Sequence, residues 1–202
     1  MSNLADELGP VLDCLRACFR RAEEVEAVIE AGAVPSASHI AAAVLVPLVV
    51  REDGLSVLMT RRSEHLHHHP GQICFPGGRI EKSDESPTMA AIRETEEEVG
   101  LGADRLEVLG HLPEYFSRTG FRVTPVVALV HPPFELTLDA FEVAESFEVP
   151  FDFLMDESNH VQMDTEYQGR PRRVYAMPYG DRNIWGTTAA ILVSLHRMLR
   201  QT

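Results

Sequence analysis

Apolar residues at Leu4, Leu8, Val11, Leu12, Leu15 and Phe19 recur at the spacing of one helix face and predict a helix over residues 3–31, with Gly32 as its stop. A short link, residues 35–38, precedes the continuous apolar run "HIAAAVLVPLVV", which suits a buried strand. "EDG" marks a turn into a second strand, "LSVLMTRR". Residues 65–82, rich in His, Pro and Gly, read as a loop with short strand pieces. Ser86 followed by Pro87 is an N-cap and first-turn signal and Gly100 a C-terminal stop, so a helix is predicted over 87–99. "RLEVLGHLPEYF" and "FRVTPVVALVH" have strand composition. Residues 139–157 are mixed, with helical pieces expected near "EVAESF" and "PFDFLMD". A hairpin is expected around Gly169 and Arg170. A last helix is expected from Asn183 to Arg200, with Ile184, Ala190, Ile191, Leu195 and Leu199 on its apolar side. The alternation of strand and helix signals implies an α/β chain.

Composition narrows the function. The 202 residues suit one domain, with no internal repeat, low-complexity tract or linker in view. A formal net charge of −13 argues against nucleic acid or a membrane surface as partner, since both need basic patches. An anionic substrate would be repelled unless metal ions or local arginines intervene. The apolar run at 40–50 is too short to span a bilayer and contains Pro47. "MSNLADELG" lacks the basic start and apolar core of a signal peptide. Cys14, Cys18 and Cys74 are odd in number and lack C-x-x-C spacing, which points to a reducing compartment and a cytoplasmic location. Cys14 and Cys18, four apart on a helix, read as packing residues rather than zinc ligands.

The segment "RETEEEVG" concentrates one arginine and four glutamates in eight positions, although like charges three and four apart destabilise a helix. At about 100° per residue, Ala91, Ile92, Thr95 and Val99 share one side. Glu94, Glu97 and Glu98 occupy an adjoining arc with small Ala90 in its middle, while Glu96 points elsewhere, near Arg93 and Met89. Either this is a solvated acidic face or a hard divalent cation is meant to sit among the carboxylates. The preceding Gly77 and Gly78 allow backbone to approach a ligand closely, and Arg93, four before Glu97, is placed to orient that carboxylate.

The pattern GG-x6-E-x7-RE-T-x-EE-x-GL, formed by Gly77, Gly78, Glu85, Arg93, Glu94, Glu97, Glu98, Gly100 and Leu101, resembles the Nudix box of the Nudix hydrolases. The family pattern has five residues between its glycine and first glutamate; six intervene here, as in the coenzyme A pyrophosphatase branch. "LMTRRS-x7-G-x3-FPGG" is similar to the upstream signature of that branch. "TGFRVTPVVALV", "FEVAESFEVPFDFL" and "YAMPYGDRNIWGTTAAIL" resemble its later stretches, so the likeness covers roughly residues 40–197. It implies a Nudix α/β/α sandwich with a mixed central sheet, the box as loop–helix–loop, and an extra N-terminal helix. On that reading residues 1–34 are the N-terminal helix and linker and 35–202 the Nudix domain.

By the same resemblance, Glu94, Glu97 and Glu98 coordinate metal with the Gly77 or Gly78 carbonyl as an extra ligand, and Glu85 supports those ligands from behind or binds through water; it also reads as an ordinary helix-entry acid. Magnesium is the expected ion, with manganese as a substitute, because carboxylates and water suit both. The family draws a general base from a later loop, where Glu142 and Glu145 lie; each also reads as a surface acid. Arg61 and Arg62 offer guanidiniums for phosphate or a buttress for a carboxylate. His65, His67, His68 and His69 are expected to line or shape the pocket rather than bind a second metal. The implied reaction is cleavage of coenzyme A or its derivatives to 4′-phosphopantetheine and adenosine 3′,5′-bisphosphate. Ser63, Gly71 and Phe75 belong to the substrate-binding pattern. His67 stands where the branch has a base able to pair with the 3′-phosphate. ADP-ribose or NADH is the alternative substrate. A binding module that has lost catalysis fits less well, because all four box glutamates are present. A homodimer is a further expectation, with the N-terminal helix as the place to look for contact.

Overall fold

The computed structural model describes residues 4–21, 26–30, 33–167 and 169–201. Helix α1 (Leu4–Arg21) is followed by the short strand β1 (Val28–Ile29) and the long strands β2 (Ile40–Arg51) and β3 (Gly54–Arg62). Two short strands, β4 (Ile73–Cys74) and β5 (Gly77–Arg79), lead into helix α2 (Pro87–Val99). Strands β6 (Leu106–His111), β7 (Tyr115–Phe116), β8 (Phe121–Val130) and β9 (Val143–Pro150) follow, then helix α3 (Phe151–Met155). Strands β10 (Val161–Tyr167), β11 (Arg170–Tyr179) and β12 (Arg182–Trp185) precede the last helix, α4 (Thr187–Arg200).

The central sheet is mixed, with the path β1-β7-β8-β2-β3-β4 and with β5, β6 and β9 pairing β2, β8 and β3. Strand β2 runs parallel to β8 from Ile40↔Phe121 to Val49↔Val130 and antiparallel to β3 and β5. Its unbroken apolar sequence follows from burial on both faces. Ala42, Val46 and Leu48 enter the core shared with α1, α3 and α4, whereas Ala43, Leu45 and Val49 meet the α2 side. Pro47 falls between the β5 register (Ala42–Val44) and the β3 register (Leu48–Arg51), so its missing N–H interrupts neither. The layers are those of an α/β/α sandwich. β10, β11 and β12 form a separate antiparallel sheet with the expected hairpin at Gly169.

Helix α2 has the predicted ends. Ser86 accepts a hydrogen bond from the Met89 N–H at 3.2 Å, Pro87 opens the first turn, and Gly100 closes the helix at φ 72°.

Three expectations are corrected. The first helix, described over Leu4–Arg21, does not run on to residue 31, because β-branched Val28 and Ile29 form a strand instead; the Val28 N–H donates to Glu114 O at 2.7 Å and Glu30 N–H to Phe116 O at 3.0 Å. The anticipated Gly32 stop lies outside the described residues. "EVAESF" is strand, not helix: Val143 and Val149 are buried, and β9 pairs antiparallel with β3, so tertiary pairing overrides a local helical pattern. The last helix begins at Thr187, because Arg182–Trp185 pairs with β11 and Gly186, at φ 66°, turns the chain; Ile184 is buried from a strand.

Candidate functional site

One face of α2 packs on β2, β5 and β8, with Ala90, Ala91, Thr95 and Val99 buried. Turn geometry then carries Glu94 and Glu98 toward the β5 glycines. Glu98 is buried, with the Gly77 N–H 3.3 Å from its Oε2 and Arg62 Nη1 3.7 Å from its Oε1. Burial lifts its carboxyl to a pKa of about 8; Arg62 and the Gly77 N–H oppose the shift, while Glu142 and Glu94 add to it. Glu94, half-buried, is also shifted upward, chiefly by burial, with Arg93 opposing and Glu97 and Glu142 reinforcing. Its carboxylate lies over Gly78, where a Cβ would come within 2.5 Å of Glu94 Cδ. At Gly77 (φ 148°) a Cβ would run into the Ala43 carbonyl. These glycines let the loop backbone and the helix carboxylates share one space.

Glu97 is exposed and turns to Arg93, whose Nη1 donates to it at 3.0 Å, the orienting contact expected from the i,i+4 spacing. Arg93 does more than that. Its Nε and Nη2 donate to the two oxygens of Asp84 at 3.0 Å each, Nη1 reaches Glu94 at 2.9 Å, and Nη2 reaches Arg79 O at 3.2 Å. Asp84 was not anticipated; its signal is an acid just ahead of the Ser86 cap, reached only once the loop folds back onto the helix. Glu85 is exposed, with no side-chain hydrogen bond or ion pair among the described residues, and Glu96 is exposed as expected.

Arg61 and Arg62 end β3 with different partners, beside a register shift in the β9 pairing. Arg62 faces Glu98, whereas Arg61 lies 3.3 Å from Glu145, which also pairs with Arg182. Glu145 is thereby committed to two arginines, and Glu142 is the carboxylate whose charge reaches both Glu94 and Glu98. Ser63 is buried; its N–H donates to Glu142 O at 2.9 Å, fastening the end of β3 to that segment. Gly71 (φ 66°) makes the turn that brings its N–H 3.1 Å from Arg62 O, and any side chain there would strike Glu64.

A cavity of about 330 Å³ opens beside the β5 glycines. Arg62, Arg79, His68, His69 and Phe75 line it, and Phe75 is otherwise core. His67 is exposed and outside the lining, and the His65 ring meets Phe141 in a tilted contact, with centroids 4.7 Å apart. The cavity also takes in Glu30, Arg172 and Trp185, none singled out from sequence because they come from distant segments.

Among the described residues no three His, Cys, Asp or Glu side chains stand together as a ready ligand set. The donor chemistry nevertheless fits a hard divalent cation. Glu98 is a carboxylate whose burial favours protonation, and a cation beside Glu94 and Glu98 would reverse that balance.

A family model described as NUDIX domain matches residues 39–161. Two relatives bear the name uncharacterized Nudix hydrolase NudL. The one from Enterobacter sp. (strain 638) is 40% identical over 154 residues, 76% of this chain and 80% of its own. The one from Yersinia enterocolitica is 42% identical over 157 residues, 78% and 80% respectively. Among solved structures, RenU, a Nudix hydrolase from M. smegmatis, superposes with a TM-score of 0.50 at 26% identity, covering 64% of this chain and 81% of that one. The NUDIX domain of Shewanella oneidensis NrtR, solved with ADP ribose, gives 0.51 at 17% identity over 85% and 96%, a likeness of fold.

Proposed function

The chain belongs to the Nudix family, and from that premise we propose that it is a metal-dependent hydrolase whose substrate is coenzyme A or a derivative of it. The products are 4′-phosphopantetheine and adenosine 3′,5′-bisphosphate. The observation that carries the reading is the meeting of Glu94 and Glu98 with Gly77 and Gly78 at the edge of a cavity that also presents Arg62 and Arg79. The choice of coenzyme A rests on the likeness of residues 58–78 to the coenzyme A pyrophosphatase signature.

Glu94, Glu97, Glu98 and the Gly78 carbonyl are the groups assigned to hold the cation, magnesium or manganese in its place. When bound, it neutralises phosphate charge and acidifies water. Arg62 and Arg79 meet the diphosphate oxygens, as guanidiniums suit them. Glu142 accepts the proton of the attacking water, whose oxygen forms the new P–O bond as the anhydride P–O bond breaks. Arg93, anchored by Asp84, orients Glu94 and Glu97. Glu85, exposed just ahead of α2, joins through water.

The test is a product-resolved screen of coenzyme A, its acyl derivatives, ADP-ribose, NADH and diadenosine polyphosphates, with magnesium and with manganese. Preferred cleavage of coenzyme A compounds supports the assignment. Preferred cleavage of ADP-ribose or NADH, with coenzyme A left intact, overturns the substrate and leaves the metal chemistry standing.

A further inference from the structure

The cavity is not confined to the segment matched by the family model, residues 39–161. Glu30 reaches it from the N-terminal side, and Arg172 and Trp185 from the C-terminal side. Glu30 follows β1, and the pairing of β1 with β7 carries it to the wall. There it forms an ion pair with Arg172 that leaves only 10% of the Glu30 side chain and 14% of the Arg172 side chain exposed. Its second oxygen accepts the Arg118 N–H at 2.9 Å. The Arg172 guanidinium lies over the Trp185 indole, 5.9 Å from the ring centroid. Trp185 is the last residue of β12, paired with Ala176; the Gly186 N–H donates to Tyr175 O at 3.0 Å, and Thr188 Oγ1 to Ile73 O at 3.1 Å. The indole is held from its backbone and from one face.

The two ends of the cavity therefore differ in chemistry. At one end Arg62 and Arg79 stand beside the carboxylates, and the Arg79 side chain has no ion-pair partner among the described residues. At the other end the charge of Arg172 is cancelled by Glu30, and what remains is an aromatic ring with the hydroxyls of Ser117, Thr119 and Thr187. Such an end suits a flat, uncharged heterocycle with hydrogen-bonding edges and gives little to a phosphate.

We propose that Trp185, held by the buried Arg172–Glu30 pair, is the specificity-determining residue that stacks on the nucleobase of the substrate. The inference rests on the reading of the protein as a hydrolase of nucleoside diphosphate derivatives. It assigns base recognition to the chain flanking the shared domain.

Trp185 is the one tryptophan of the 202 residues, so its emission reports the site directly. AMP and adenosine 3′,5′-bisphosphate, titrated into the full chain without added metal, should quench it saturably, whereas pyrophosphate and ribose 5-phosphate should not. By calorimetry, Trp185→Leu should weaken adenosine bisphosphate binding about tenfold or more, as losing one base–aromatic stack does, and Trp185→Phe should restore most of it. Glu30→Gln should weaken it as well, with Glu30→Asp recovering part. The proposal is overturned if the wild-type protein binds neither nucleotide, if it binds them with unchanged emission, or if Trp185→Leu binds as the wild type does. Quenching by adenine nucleotides without cleavage of coenzyme A would sink the substrate assignment and keep the base site. Cleavage of coenzyme A with a silent indole would do the reverse.

Discussion

The carboxylate of Glu94 occupies the volume that a side chain at Gly78 would need, with Cδ 2.5 Å from the ideal Cβ position. The obstacle at Gly78 is the movable end of a side chain. At Gly77 it is the backbone of Ala43 and Val44, and φ is 148°. Gly78→Ala should therefore fold, push Glu94 aside and lower kcat at least about tenfold, in line with losing one preorganised group. Gly77→Ala should lose stability instead, by about 1–3 kcal/mol. Urea unfolding beside steady-state kinetics separates the two; equal stability losses would refute the distinction.

Glu98 and Glu97 are expected to act on the reaction rather than on folding. Glu98→Gln or Glu97→Gln should reduce kcat by ~10²-fold or more at saturating magnesium, with little change in Tm. Glu96, on the same helix but exposed and turned from the β5 glycines, is the control. Full turnover in Glu98→Gln, or matching damage in Glu96→Gln, would count against the assignment.

Asp84 touches none of the carboxylates directly; it fixes Arg93 through two hydrogen bonds of 3.0 Å. Asp84→Asn should keep the fold and weaken magnesium activation about 10–100-fold, the range for losing a group that orients metal ligands. The magnesium dependence of kcat reads this, and an unchanged half-activating concentration would show that Arg93 needs no anchor.

Arg16 on α1 makes a two-pronged pair with Glu107 on β6, at 2.7 and 2.8 Å, and His131 joins at 3.1 Å. The Arg16 hydrogen bond is the largest reason the Glu107 carboxyl falls from 4.5 to about 2. A depressed acid stabilises the fold above its unfolded value and loses that contribution as pH falls, here between about 4.5 and about 2. Glu107→Gln should cost about 1 kcal/mol or less at pH 7, because the pair is partly exposed, and the gap to wild type should close toward pH 2. Urea midpoints of both proteins at pH 7, 4.5 and 3 test this; a gap that holds constant contradicts it.

Helix α2 was legible from sequence alone because its information is local: a serine cap, a proline in the first turn, a glycine stop, and a 3.6-residue period that separates Ala91 and Val99 from the acids. β2 was legible for a similar reason, since ten apolar residues around one proline leave few other fates. The strand formed by "EVAESF" was not, because its partner, β3, lies some eighty residues earlier and pairing energy outweighs local preference. The strand at Val28–Ile29 depends in the same way on Tyr115 and Phe116.

Within the site, the sequence by itself determined that a cluster of helix carboxylates faces a glycine pair, since helix angle and loop spacing are both written locally. Only the tertiary structure decided which acids share an environment. It buried Glu98, left Glu97 in solvent, committed Glu145 to Arg61 and Arg182, and brought Asp84 under Arg93. It also assembled the far wall of the cavity from Glu30, Arg172 and Trp185, separated by as many as 155 positions along the chain. Residues that distant meet only after the sheet has formed, and no periodicity or spacing in a linear chain records where its strands will pair.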